Sequence, residues 1–157
     1  MLKVGDAAPD FEGVDCNGRP IRLRDFRGRR VVLFFFPKAF TPGCTSEVRH
    51  FRDNQARLGE LGAALIGVSV DNVETQCAFA KAERVEFPLL GDPDRRLSGL
   101  FGVLWPLVRL DRRVTFVLGP TGVVEDVIHH EVRVSAHLDD VLETLKKKGS
   151  PGAPPAR

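Results

Sequence analysis

Apolar and polar positions change period several times along this chain, and each change marks an element. Residues 31–36 are apolar at every position and the run stops at Pro37, the pattern of a strand buried on both faces of a sheet. Residues 64–70 repeat that signature and predict a second buried strand. Between the two, Val48, Phe51, Gln55, Leu58 and Leu61 recur at helical spacing among charges, which places a helix start near Cys44. Upstream, residues 10–14 and 20–23 read as short extended segments about Asp15-Cys16-Asn17-Gly18, where Asn-Gly favours a tight reversal, so a hairpin is expected. Downstream, the pattern gives a helix over 71–84 capped by Asp71 or Asn72, a short strand over 87–90, and a capped helix over 92–101. A hairpin of 114–118 with 123–128 then turns at Gly119-Pro120-Thr121-Gly122, and a last helix over 135–148 closes with three lysines against the negative end of its dipole.

Strands alternating with helices, then a hairpin and a closing helix, describe an α/β sandwich: a central mixed β-sheet flanked by helices, with an N-terminal β-hairpin. At 157 residues and 43% hydrophobic content, one domain over residues 1–148 is expected, followed by a Gly/Pro/Ala/Ser tail over 149–157 that has little to bury and reads as disordered. The 23 Lys and Arg against 21 Asp and Glu leave a net charge of +2, too little field to draw nucleic acid or an anionic membrane. No apolar run approaches the ~20 residues of a membrane-spanning helix, and the first residues show no signal-peptide pattern, so a cytoplasmic protein is expected. The 3 cysteines are too few and scattered for a disulfide framework, and neither they nor His50, His129, His130 and His137 are spaced as metal ligands. No metal and no cofactor are expected.

The candidate chemistry lies where the first buried strand runs into a helix, at Pro37-Lys38-Ala39-Phe40-Thr41-Pro42-Gly43-Cys44-Thr45. With Thr41 as N-cap, Pro42 falls at N1, where its missing N–H costs nothing, and Cys44 falls at N3. A capping box puts a Glu or Gln there, so a Cys44 thiolate would be an anion among free N–H groups at the positive helix end. Only the thiolate is a useful nucleophile. A cysteine taken alone is more often a small core residue. Here the cap, the Pro-Gly turn and the all-apolar strand coincide, which favours function.

Pro37-x-x-x-Thr41-x-x-Cys44 resembles the peroxiredoxin active-site motif, and residues 35–45 as a whole are similar to the bacterioferritin-comigratory (PrxQ) group. Val4-Gly5-Asp6-Ala7-Ala8-Pro9-Asp10-Phe11, Gly67-Val68-Ser69-Val70-Asp71, Phe87-Pro88-Leu89-Leu90-Gly91-Asp92 and Arg113-Val114-Thr115-Phe116-Val117-Leu118 also match, so the likeness spans residues 2–147. The resemblance implies a thioredoxin-like fold and a thiol peroxidase of hydrogen peroxide and organic hydroperoxides. It implies that Cys44 attacks the peroxide and becomes a sulfenic acid, with Thr41 holding the reacting atoms by its hydroxyl and Pro37 excluding water. Arg113, preferred over Arg112 for its place three residues before Phe116, would stabilise the shifting charge. Glu47, one turn after Cys44, is expected to pair with Arg113 and orient it.

The nearest group commonly places a second cysteine five positions after the first, where this chain has Arg49. The thiol that resolves the sulfenic acid is then Cys77, Cys16, a partner's cysteine or an external thiol. Cys77 is the candidate resolving residue, about one turn from the position some relatives use, while Cys16 reads as an incidental exposed thiol. The reductant would be thioredoxin or a small thiol, and the protein a monomer or homodimer. A thioredoxin-fold thiol-binding or redox-sensing protein without efficient turnover is the competing reading. His129-His130-Glu131 reads as surface residues at a strand end. Phe40 and Trp105 are candidates for an apolar entrance, and residues 105–108 could pack on the core or form a dimer contact.

Overall fold

The computed structural model describes residues 1–148; the tail expected to be disordered, 149–157, lies outside them. Strands β1 (Glu12–Val14) and β2 (Pro20–Arg22) form the expected hairpin. Asp15 builds its turn by accepting the N–H groups of Asn17 and Arg19. The chain continues through β3 (Arg30–Phe35), α1 (Pro42–Asp53), α2 (Gln55–Glu60), β4 (Ala63–Ser69) and α3 (Val73–Ala82). It ends with β5 (Leu89–Gly91), α4 (Arg96–Phe101), β6 (Val114–Leu118), β7 (Val124–His129) and α5 (Ser135–Lys148).

Five strands pair in the order β5-β4-β3-β6-β7, with the all-apolar β3 at the centre. It runs parallel to β4, Leu33 opposite Ile66, and antiparallel to β6, Leu33 opposite Phe116. The sheet is therefore mixed, as expected. Alternate residues of β3 enter two cores: Val32 and Phe34 meet Val48 and Phe51 of α1, Phe79 of α3 and Val141 of α5, while Val31, Leu33 and Phe35 meet Phe11 and Phe101. Each such side chain contributes about 1.5–3 kcal/mol by leaving water. Gly67 on β4 is required by this packing, since a Cβ there would stand 2.7 Å from the Phe34 ring.

Two helices differ from the sequence pattern. The single helix expected after Cys44 breaks at Asn54, whose side-chain amide takes the His50 carbonyl while its backbone N–H turns to Phe51. That is the local competition by which asparagine ends helices. The helix expected from Asp92 begins only at Arg96, because the Asp92 carboxylate bonds the N–H groups of Leu97 and Ser98 from outside it.

The reading of Cys16 as an incidental thiol is corrected. Cys16 and Cys77 form a disulfide, with Cα atoms 5.5 Å apart, joining the hairpin turn to α3. The hairpin lies against Leu90 of β5 at Gly13, where a side chain would collide, and this close approach carries its turn to the neighbouring helix. No described helix is long and apolar enough to cross a membrane.

Candidate active site

β3 delivers the chain to the site. Phe36 still bonds Val68, and Pro37, lacking an N–H, ends the ladder. The loop that follows is held from β4 and the turn after it: the Asp71 carboxylate accepts the Ala39 N–H at 2.7 Å and the Ser69 hydroxyl at 2.6 Å. Asp71 is thus a loop anchor, and Asn72 is the cap of α3, accepting the Thr75 N–H at 2.7 Å. Phe40 takes a left-handed φ of 66° and leans its exposed ring on Phe79. This reversal aims the chain into α1.

Thr41 is the N-cap of α1, with extended backbone angles, Pro42 is N1 and Cys44 is N3, as the spacing predicts. The Thr41 hydroxyl, however, donates to the Lys38 carbonyl at 2.8 Å and makes no capping bond. The N–H groups of Gly43 and Cys44 consequently have no acceptor within the helix, and they surround the cysteine with positive partial charge.

Arg113 comes from the chain just before β6. Its Nη1 donates to Cys44 Sγ at 3.5 Å and to Glu47 Oε1 at 3.0 Å. Glu131 fixes its other end: the carbonyl accepts from Arg113 Nε at 3.2 Å, and the carboxylate accepts from the Arg113 backbone N–H at 3.0 Å. Gly43 leaves room for the guanidinium, since a Cβ there would lie 3.1 Å from Nη2. The structure therefore brings Cys44, Glu47 and Arg113 together in a buried cluster.

Behind Glu47 stands His137 of α5. Its Nε2 donates to the His130 carbonyl at 2.8 Å, so its Nδ1 is the acceptor of the Thr115 hydroxyl, also at 2.8 Å. The ring is neutral in this arrangement, and burial holds its pKa down at about 4. Glu47 Oε2 lies 3.7 Å from Nδ1 and has no hydrogen-bond partner among the described residues. Burial pushes the Glu47 carboxyl up to about 8, against the pull of Arg113.

The sequence pattern did not reveal Asp71, Thr115, Glu131 or His137 as part of the site, and it gave Gly43 only as part of the Pro-Gly turn before Cys44. His129 is exposed as expected, but Glu131, read as a surface residue, fixes Arg113. His137 carried a usable signal, for it lies on the buried stripe of α5 with Val141 and Leu145. Cys77 is half-buried on α3 and bonded to Cys16, so it holds no free thiol, and Cys44 is free. Arg49, five positions after Cys44, pairs with Glu83 beyond the end of α3. Phe40 lines a cleft along the exposed side of α1 with Pro42, Thr45 and Ser46; Trp105 is not part of it and packs under the Arg112 guanidinium, 4.2 Å away.

The sequence matches the AhpC/TSA family over residues 4–127. It is 37% identical over 152 residues to peroxiredoxin Bcp of Escherichia coli K12, covering 93% of this chain and 97% of that one. The crystal structure of peroxidoxin BcpB from Mycobacterium tuberculosis is similar at a TM-score of 0.89 and 41% identity, covering 96% of this chain and 100% of the other. The bacterioferritin comigratory protein of Xanthomonas campestris, solved in a study of its alkyl peroxide reduction activity, gives a TM-score of 0.83 at 31% identity over 94% of this chain and 98% of its own.

Proposed function

This chain belongs to the AhpC/TSA family and is a peroxiredoxin, a thiol-dependent peroxidase, and on that premise we propose that Cys44 is its peroxidatic nucleophile. The thiolate attacks the terminal oxygen of the hydroperoxide in line, the O–O bond breaks, and water or an alcohol leaves once protonated. Cys44 becomes a sulfenic acid. One observation carries this reading: Cys44 stands at N3 of α1 with a guanidinium nitrogen of Arg113 at 3.5 Å.

Each neighbour has a physical task. Arg113 and the free N–H groups of the first turn stabilise the sulfur anion and the charge moving onto the leaving oxygen. Thr41, its hydroxyl proton committed to Lys38, presents lone pairs that accept a hydrogen bond from the O–H of the bound peroxide. Pro37, at the end of β3, excludes water from the sulfur, and Glu47 is a positioning residue that aims Arg113. Organic hydroperoxides join hydrogen peroxide as substrates by analogy with the Xanthomonas relative and its alkyl peroxide activity. Recycling falls to a thiol, with thioredoxin or a small thiol as the final reductant in the cytoplasm, and Cys77 as the internal resolver.

Stopped-flow mixing with hydrogen peroxide tests the assignment. Cys44→Ser is expected to abolish rapid consumption and Arg113→Ala to slow it by about 100-fold or more. Oxidation of the wild type no faster than that of free cysteine would remove the nucleophile from Cys44.

A further inference from the structure

We propose that Cys16 is a second resolving thiol, to which the oxidation made at Cys44 is passed through Cys77, so that the exposed Cys16–Cys77 disulfide is the form presented to the external reductant. The proposal rests on the reading of Cys44 as nucleophile and Cys77 as first resolver.

Three observations carry it. First, the redox state of the structure is the end state of such a relay: Cys44 is a free thiol while Cys16 and Cys77, 61 positions apart in sequence, are joined. Second, exposure increases in the same order. Cys44 has 0% of its surface accessible, Cys77 is half-buried, and Cys16 stands exposed in a hairpin turn. A protein dithiol cannot reach a buried sulfenic acid in this arrangement, whereas an accessible disulfide is a labile one. Third, the helix bearing Cys77 touches the segment that leads from β3 into the helix of the nucleophile. Phe79, two positions on, packs against Phe36 and Phe40, whose ring centroids lie 5.9 and 5.1 Å away.

The chemistry balances in two exchanges and one reduction. The Cys77 thiolate attacks the Cys44 sulfur; an S–S bond forms, the S–O bond breaks, and hydroxide takes up a proton and leaves as water. The Cys16 thiolate then attacks the Cys77 sulfur, and Cys44 departs as a thiolate into the field of Arg113 and the helix N-terminus, which favours it as the leaving group. An external dithiol supplies two electrons and two protons to restore Cys16 and Cys77. Because the second exchange frees Cys44 before any reductant acts, the protein can react with peroxide again.

The experiment starts from protein reduced by excess dithiol and then freed of it. Wild type is expected to consume two equivalents of hydrogen peroxide per chain in rapid steps, and mass spectrometry after the first equivalent is expected to find Cys16 joined to Cys77 with Cys44 as thiol. Cys16→Ser is expected to consume one equivalent and stop at a Cys44–Cys77 disulfide, and Cys77→Ser to stop at a Cys44 sulfenic acid. A wild type that halts at Cys44–Cys77, or at the sulfenic acid with Cys16 and Cys77 still thiols, overturns the relay and leaves the peroxidase assignment intact. Formation of Cys16–Cys77 in Cys44→Ser as fast as in the wild type also overturns it. Peroxide consumption by wild type at the rate of a free thiol overturns both readings.

Discussion

Glu47 concentrates the electrostatics of the site in one side chain. As a carboxylate one turn from Cys44 it would repel the thiolate, but burial holds its pKa at about 8, so near neutral pH it is mostly the uncharged acid. It can still accept from Arg113 in that state, leaving the guanidinium charge to the sulfur. As pH rises through about 8, Glu47 ionises and competes for Arg113. The second-order rate constant with peroxide is therefore expected to fall on the alkaline side in wild type, and Glu47→Gln, which keeps the acceptor, is expected to lose that limb; an identical profile in the variant would show that Glu47 carries no such charge change. The sequence made the local half of this site legible, because Thr41, Pro42 and Cys44 derive their roles from spacing along one helix start. Arg113 was reached only through the family motif. Glu131 and His137 were hidden because their contacts join residues 18 and 22 positions apart, across strand and helix.

Elements were legible wherever a period or a cap is encoded in adjacent residues. The all-apolar runs became β3 and β4, and the lysine-ended helix runs over Ser135–Lys148 as expected. Boundaries shifted where a side chain chose between two backbone partners. Asn54 interrupts the helix after Cys44, and of the adjacent cap candidates Asn72 takes the helix while Asp71 takes the loop. Asn72→Ala is accordingly expected to destabilise the fold by about 1 kcal/mol, the usual value of an N-cap, seen as a lowered urea midpoint with unchanged slope. Asp71→Ala differs in kind, since it releases Ala39 in the loop before Cys44.

For the whole molecule, three buried ionisable groups set how stability depends on pH. Glu47 and Asp111 are raised by burial from 4.5 and 3.8 to about 8 and 7, so the folded chain keeps protons that the unfolded chain has released. Both make the fold less stable as pH rises toward 8. His137, lowered from 6.5 to about 4, acts oppositely, its stability being lost as pH falls from 6.5 toward 4. Above pH 6.5 only the two acids operate, with a slope of at most about 1.4 kcal/mol per pH unit for each proton. Urea midpoints are expected to decline between pH 6.5 and 8 in wild type and to stay level in Glu47→Gln/Asp111→Asn; a level wild type would mean that these acids are ionised in the fold. The layered architecture followed from the order of elements, but the landing of the hairpin on β5, and with it the Cys16–Cys77 bond, joins segments that no local pattern links. Glu83 shows what such distant ties decide. By gripping Arg49 with its carboxylate and Arg52 with its carbonyl, it straps the middle of α1 to the far end of α3. That strap leaves the first turn of α1, with its sulfur, outside the tied segment, so unwinding there breaks neither grip.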